Sequence, residues 1–150
     1  MNIDIKDNLP QAVDRVIDIV DAAGRKADTV LASFHDRVLS RVRRVEPEIN
    51  TSAGPGDLKR MYWRYTIRRM PAVKPAADIF QIPMRYGPLK FTSRRFIRFV
   101  QTAGCRINFW TVNDEHQIRA MLDRGVNGIV TDRPDLARRI YDEYGFIARQ

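Results

Sequence analysis

The 150-residue sequence has few of the residues from which many catalytic and structural sites are built. It contains one cysteine, Cys105, and two histidines, His35 and His116. A single cysteine excludes an internal disulfide and a zinc site made of thiolates. There is no run of about 18 apolar residues to span a bilayer, and the first residues do not resemble a signal peptide. We therefore expect a cytoplasmic protein in which Cys105 is a small buried apolar residue.

Positive charge, by contrast, is in excess. The chain has 26 Lys and Arg against 18 Asp and Glu, a formal net charge of +8. This balance favours anionic partners such as phosphate esters, lipid headgroups or nucleic acids, although many basic domains bind none of them. A hydrophobic content of 44% is enough for one core. The chain is nevertheless too short for a closed barrel of alternating strands and helices, which needs about 250 residues.

Strand-like and helix-like segments alternate along the whole chain. About six such units in a row predict a parallel sheet with helices outside it. The predicted strands are residues 2–5, 29–33, 48–51, 77–82, 106–112 and 128–131. The predicted helices are one capped by Asn8 and ended by Gly24, then 35–45, 57–69, 92–103 and 114–124, and a last one capped by Asp132.

The first predicted strand places a carboxylate and an ammonium group on one face. Side chains alternate along a strand, so Ile3 and Ile5 point to one side. Asp4 and Lys6 point to the other side, near the C-terminal end of the strand, where barrel enzymes keep their active sites. From the spacing alone, both an ion pair at a strand end and a functional site remain open.

Two motifs include the C-terminal ends of the last two predicted strands. One reads Trp-Thr-Val-Asn-Asp over 110–114 and the other Gly-Ile-Val-Thr-Asp-Arg-Pro over 128–134. Trp110 points to the interior near the end of its strand, as a core side chain would. Asn113 and Asp132 are predicted to cap the helices that follow them, with Pro134 in the first turn of the last helix.

The helix predicted over 57–69 is both basic and aromatic. Arg60, Arg64 and Arg68 recur every fourth residue and form one stripe, with Trp63 beside it. A helix of this kind lies on an anionic membrane surface, binds nucleic acid, or is an outer helix with a solvated basic face. Composition alone does not choose among the three.

Taken in order, the Asp-Ile-Lys segment and the two closing motifs resemble the glycerophosphodiester phosphodiesterase family. Its members are metal-dependent (β/α)8 barrels that hydrolyse glycerophosphodiesters to glycerol 3-phosphate and an alcohol, a reaction of lipid metabolism. The resemblance runs from Asp4 to the Thr-Asp-Arg-Pro turn. It implies that residues 1–150 are the C-terminal part of such a domain. The fold would be α/β, an incomplete TIM barrel of about six parallel β/α units with the first strands missing.

The resemblance also implies roles for three residues. Asp4 matches the carboxylate of the family's Glu-x-Lys strand and would bind a divalent metal, Ca²⁺ or Mg²⁺. Lys6 would be a catalytic and substrate-binding residue that stabilises charge on the phosphodiester. Trp110 would line the pocket against the alcohol portion of the substrate. The family's catalytic histidines and Glu-x-Asp ligands would lie before residue 1, and neither His35 nor His116 matches them.

Several expectations follow from this assignment. The metal site would be incomplete and the isolated chain inactive or nearly so, although its family is a hydrolase family. The partner would be a small glycerophosphodiester rather than nucleic acid, with an anionic membrane surface as a further candidate. Open sheet edges would favour self-association. The alternative hypothesis is a non-catalytic basic α/β module that binds phosphate or nucleic acid.

Overall fold

A computed structural model describes residues 1–146 and shows an α/β protein with parallel sheets. The strands are β1 (Asn2–Asp4), β2 (Val30–Ala32), β3 (Asn50–Thr51), β4 (Ile79–Pro83), β5 (Arg85–Tyr86), β6 (Leu89–Lys90), β7 (Arg106–Trp110) and β8 (Gly128–Ile129). The helices are α1 (Pro10–Ala22), α2 (Asp36–Val45), α3 (Pro55–Thr66), α4 (Arg94–Thr102), α5 (Glu115–Asp123) and α6 (Pro134–Glu143). The chain divides into two compact units. The first comprises Met1–Phe80 with Thr102–Cys105, and the second comprises Gln81–Gln101 with the described residues from Arg106 onward.

The first unit is built on a parallel sheet in the order β1–β2–β3. Ile3 lies opposite Leu31, and Leu31 lies opposite Thr51. Helices α1 and α2 bury apolar faces at helical spacing in the core of this unit. The predicted alternation along β1 is confirmed, because Ile5 is buried whereas Asp4 and Lys6 are exposed. The core residues of this unit include Ile5, Val13, Ile17, Val20, Leu31, Val38, Val42 and Ile49.

Two helix starts in the first unit differ from the prediction. Leu9, not Asn8, precedes the first turn of α1, and no side chain caps that helix. Helix α3 begins at Pro55 rather than at Asp57, because proline fits the first turn, where its missing N–H removes no helical hydrogen bond. Asp57 then lies in the third position of the helix and accepts a hydrogen bond from the N–H of Gly54 at 3.2 Å.

Helix α3 also ends three residues earlier than predicted, at Thr66. Arg68 has a φ of 56°, in the left-handed region that glycine usually occupies at the end of a helix. The N–H of Arg69 donates to the carbonyl of Arg64 at 2.9 Å, and that of Arg68 to the carbonyl of Tyr65 at 3.1 Å. These two bonds close the helix in a Schellman arrangement with an arginine at the glycine position.

The second unit contains a three-stranded sheet built from later strands of the chain. From Gln81 onward β4 belongs to this unit, where the strand order is β4–β7–β8, and β7 pairs with β8 in parallel. Gly128 lies opposite Asn108, and a Cβ atom at Gly128 would be 3.1 Å from the Asn108 side-chain oxygen. Helix α4 buries Phe96, Ile97 and Val100, as its spacing predicted.

A hairpin in the second unit was missed by the sequence analysis. Strands β5 and β6 pair antiparallel, with Arg85 opposite Lys90 and Tyr86 opposite Leu89. The intervening Gly87-Pro88 gives a two-residue loop, and Gly87 has the positive φ of 54° that tight hairpin loops require. No element was predicted between residues 82 and 92, where this short hairpin forms.

None of the helices within residues 1–146 has both the length and the apolar character needed to cross a bilayer.

Candidate functional site

The C-terminal end of β1 carries an accessible ion pair. The Lys6 ammonium donates to a carboxylate oxygen of Asp4 at 2.5 Å, and the Lys6 side chain is 75% exposed. The ammonium also lies 5.6 Å from the centre of the Phe34 ring, in the range of a cation–π contact. The ion pair suggested by the spacing is therefore present. Because exposed pairs contribute about 0–1 kcal/mol, the fold depends little on it.

The segment after β2 is tied to the end of β1. Ser33 is buried, and its hydroxyl donates to the carbonyl of Ile5 at 2.8 Å. The same hydroxyl oxygen accepts the N–H of His35 at 3.1 Å. These two bonds fix the backbone on both sides of Phe34, which places its ring beside Lys6. His35 is the residue preceding α2, and its side chain is exposed and caps nothing.

The carboxylate of Asp36, at the start of α2, is already hydrogen-bonded to a backbone N–H group. The N–H of Gly56 donates to both oxygens of Asp36 at 3.1 Å. The carboxylate thus lies against the first turn of α3, where the helix dipole favours negative charge. A Cβ atom at Gly54 would be 2.3 Å from the nearer Asp36 oxygen, so only glycine allows this approach. The Gly-Pro-Gly sequence over 54–56 is typical of a turn, but it does not indicate the carboxylate partner.

The end of β3 is held by an arginine that sequence reasoning also missed. Arg43 donates to the Thr51 hydroxyl at 2.9 Å, to the Ser52 carbonyl at 3.0 Å and to the carboxylate of Asp57 at 2.9 Å. Asp57 is only 7% exposed and also accepts from Arg60. This network fixes the chain between β3 and α3 and is structural.

The described residues do not by themselves fit a metal ion. Within residues 1–146 there is no group of three or more His, Cys, Asp or Glu side chains placed to hold one. Ca²⁺ takes about six to eight oxygen ligands and Mg²⁺ about six. Asp4 offers one carboxylate, and one of its oxygens is bound by Lys6. The chain as described supplies one ligand at most at this position.

The single cysteine is not a nucleophile. Cys105 is buried, and its thiol donates to the carbonyl of Ala77 at 3.3 Å. Burial raises the pKa of the thiol to about 11, so the thiolate is scarce at neutral pH. The expectation of a small buried residue is confirmed.

In the second unit, Trp110 ends β7 and is half-buried. It shares the half-buried side of the strand with Asn108, whereas Ile107 and Phe109 on the other side are fully buried. Trp110 belongs to the second unit, and Asp4 and Lys6 belong to the first. Their meeting in one cavity therefore stays a prediction.

Asn113 does not cap α5, contrary to the prediction. Asp114 has that role, since its carboxylate accepts the N–H of Gln117 at 2.9 Å. The Asn113 side chain instead joins the segments after β7 and β8. Its oxygen accepts from the Thr131 hydroxyl at 3.0 Å and from the N–H of Asp132 at 2.8 Å, and its amide nitrogen donates to the Asp132 carboxylate at 2.9 Å.

The predicted cap of the last helix was also wrong. Arg133, not Asp132, precedes α6, because the Asp132 carboxylate is engaged by Asn113. Pro134 lies in the first turn as predicted. Arg133 pairs with Asp135 at 2.8 Å and lowers the pKa of that carboxyl to about 2. Asn113, Thr131 and Asp132 thus form a polar cluster at the C-terminal ends of β7 and β8. Parallel sheets bind ligands at this edge.

Comparison with known proteins points to one family. A model of the glycerophosphoryl diester phosphodiesterase family matches residues 1–136. A probable glycerophosphodiester phosphodiesterase 2 of Mycobacterium tuberculosis is 28% identical in an alignment of 150 positions, which includes 93% of this chain and 54% of the relative. The chain thus spans about half the length of the relatives it matches.

Solved structures are similar in fold. A glycerophosphodiester phosphodiesterase of Parabacteroides distasonis superposes with a TM-score of 0.71 at 18% identity, over 96% of this chain and 58% of that one. A phosphodiesterase of Oleispira antarctica, solved with the product sn-glycerol-3-phosphate, gives a TM-score of 0.65 at 14% identity, over 88% of this chain and 49% of that one. At these identities the likeness concerns the fold alone.

Proposed function

Since a family model matches residues 1–136, the chain belongs to the glycerophosphoryl diester phosphodiesterase family, and we propose that it provides part of a phosphoric diester hydrolase. The reaction is hydrolysis of a glycerophosphodiester to glycerol 3-phosphate and an alcohol. The observation that carries this proposal is the exposed Lys6 ammonium at the C-terminal end of β1, held between Asp4 and Phe34.

Lys6 has the chemistry and the position to bind a phosphodiester. Its ammonium has three N–H donors, and the Asp4 carboxylate leaves others for phosphoryl oxygens. Negative charge grows on those oxygens in the transition state, so a cation fixed beside them lowers the barrier. Asp4 and Phe34 restrict where the lysine side chain can lie, which favours one position of the ammonium.

Asp4 is proposed as one ligand of a divalent metal, Ca²⁺ or Mg²⁺, whose other ligands lie outside the described residues. Its carboxylate is a hard oxygen ligand of the kind that both ions prefer. When bound, such a cation would supply positive charge beside the phosphate. Lys6 itself would contact the same phosphate group.

We propose that residues 1–146 do not supply the acid–base part of the catalysis. The imidazoles of His35 and His116 are exposed, and no hydrogen bond within residues 1–146 orients either of them. A general acid or base must be positioned within hydrogen-bonding distance of the proton it transfers. We therefore propose that the isolated chain is inactive or nearly so. Trp110, at the end of β7, is proposed to contact the alcohol portion of the substrate.

The finer features of the fold are also proposals. Residues 1–150 are proposed to be the C-terminal part of an incomplete (β/α)8 barrel of about six β/α units. The parallel sheets and the likeness to a solved glycerophosphodiester phosphodiesterase, over 58% of that chain, support this arrangement. An open barrel leaves unpaired strand edges, so self-association of the chain is expected.

The test is ligand binding and turnover by the purified chain. Binding of glycerol 3-phosphate, followed by NMR of the chain, is expected in the wild type, to be lost in Lys6→Ala, and to persist in Lys90→Ala, a matched exposed lysine on β6. No binding by the wild type, or equal binding by Lys6→Ala, would contradict the role of Lys6. Release of glycerol 3-phosphate from glycerophosphocholine, abolished by a chelator, would contradict the proposed inactivity.

A further inference from the structure

The chain contains a long segment without negative charge. Residues 58–77, here named the basic segment, contain six Lys and Arg and no Asp or Glu. The segment starts inside α3, continues past the end of that helix, and stops one residue before Asp78. All of it lies in the first unit.

The same segment exposes large apolar side chains. Helix α3 buries Asp57 and Met61. Trp63, on another side of the helix, is 61% exposed. Ile67 follows one turn later, with its N–H bonded to the Trp63 carbonyl at 3.1 Å, and is exposed as well. Met70 and Val73 continue the series beyond the helix, Val73 being 80% exposed. Four exposed large apolar side chains within eleven residues make this segment a candidate interaction surface.

Most cations of the basic segment have no acidic partner. Arg60 pairs with Asp57, and Lys74 pairs with Asp78 at 3.0 Å. Across residues 1–146, no ion pair is found for the remaining four: Lys59, Arg64, Arg68 and Arg69. Their charge is therefore available to a partner.

Arg68 adds a second indication. It occupies the left-handed position that ends α3, with a φ of 56°. A residue with a Cβ atom is strained in this conformation, whereas glycine is not. The arginine at this position lowers local stability relative to glycine. It also places one more cation between Ile67 and Met70.

We propose that the basic segment docks the protein on the surface of an anionic phospholipid bilayer. The four free cations would lie among the phosphate groups, and Trp63, Ile67, Met70 and Val73 would enter the boundary between headgroups and acyl chains. Nucleic acid fits less well, because aliphatic Ile, Met and Val side chains cannot stack on bases as aromatic rings do. The proposal is independent of the proposed hydrolase function.

The expected strength follows from the number of free cations. Each Lys or Arg near an anionic bilayer contributes about 1 kcal/mol, about a fivefold change in the partition coefficient. Removal of four is expected to weaken binding by about 10² to 10³-fold. Surface electrostatics are screened within about 10 Å at 0.1 M salt and within about 3 Å at 1 M, so binding should also fall steeply with salt.

The experiment is co-sedimentation of the whole chain with vesicles of phosphatidylcholine, with and without phosphatidylserine, at low and high salt. The charge variant replaces the four free cations by glutamine: Lys59, Arg64, Arg68 and Arg69. The matched control has the same change of net charge at four exposed arginines elsewhere: Arg37, Arg44, Arg94 and Arg98. A third variant, Trp63→Ser with Val73→Ser, removes apolar contacts only. Circular dichroism melting confirms that each variant is folded.

The proposal predicts binding only to vesicles that contain phosphatidylserine, lost in the charge variant, reduced in the apolar variant and largely kept in the control. A blue shift of Trp63 fluorescence is expected on binding, read in Trp110→Phe so that one tryptophan remains. Equal losses in the charge variant and its control would overturn the proposal, as would absence of binding at low salt. Binding of duplex DNA in preference to vesicles, unaffected by the apolar variant, would instead identify a nucleic-acid surface.

Discussion

Replacement of Arg43 by alanine tests the buried network at the end of β3. The change removes three hydrogen bonds, to Thr51, Ser52 and Asp57, and leaves the carboxylate of Asp57 only 7% exposed. Removing one member of a buried ion pair costs about 3–5 kcal/mol. Because Arg60 and the N–H of Gly54 still contact Asp57, we expect about 3 kcal/mol, a large part of the about 5–15 kcal/mol that stabilises a typical domain.

Urea denaturation followed by circular dichroism measures this loss. With a slope of about 2 kcal/mol per molar urea, the midpoint should fall by about 1.5 M. The control is Arg138→Ala, whose exposed pair with Asp142 at 3.0 Å should contribute less than about 1 kcal/mol. A double-mutant cycle with Asp57→Ala isolates the coupling of the pair. If Arg43→Ala shifted the midpoint no more than Arg138→Ala, the network would not stabilise the fold as argued.

Two further predictions concern single residues. Arg68→Gly should raise the free energy of unfolding by about 1 kcal/mol, since glycine adopts a φ of 56° without strain, and a lower melting temperature would refute this. For Cys105, the folded state keeps the thiol proton up to about pH 11, whereas the unfolded chain releases it near the ordinary pKa of 9.0. Because the folded state binds more protons between these values, stability should fall as pH rises from 9 to 11. This loss should be smaller in Cys105→Ala, and identical pH profiles would show that the thiol is not responsible.

Helical spacing allowed much of the fold to be predicted. Phe96, Ile97 and Val100 recur at the spacing of one helical face and are all buried. Gly104 and Gly125 follow helices and have positive φ, as expected of residues that end them. The period of two in β1 likewise placed Asp4 and Lys6 on one side of the strand, where an ion pair was one of the two possibilities left open, and the pair is present.

Helix starts were less predictable for a chemical reason. Asn and Asp side chains accept backbone N–H groups equally well at a helix start and in a loop. Asn113 therefore suited a cap on sequence grounds, but its oxygen is bound by Thr131 and Asp132, 18 and 19 residues away. Only the parallel pairing of β7 and β8, which sequence spacing does not specify in detail, brings these groups together.

The contacts of Asp36 and Arg43 could not be predicted from the sequence either, because their partners are distant along the chain. Asp36 binds the N–H of Gly56, which is 20 residues away, and Arg43 binds Asp57, which is 14 residues away. Each contact depends on the register of neighbouring strands rather than on a local motif. The Gly87-Pro88 turn differs, because a Gly-Pro pair between short strand-forming residues is a local hairpin signal that the sequence does contain.

The side-chain amide of Asn113 joins the loop after β7 to the loop after β8, so that the two loops are preorganised together. A ligand that approaches the carboxyl edge of β7 meets a neighbouring loop whose position is already fixed by three hydrogen bonds. The conformational entropy of this edge is lost when the protein folds and not when a ligand arrives. Affinity and off-rate at this edge would then depend on a residue that need not touch the ligand at all.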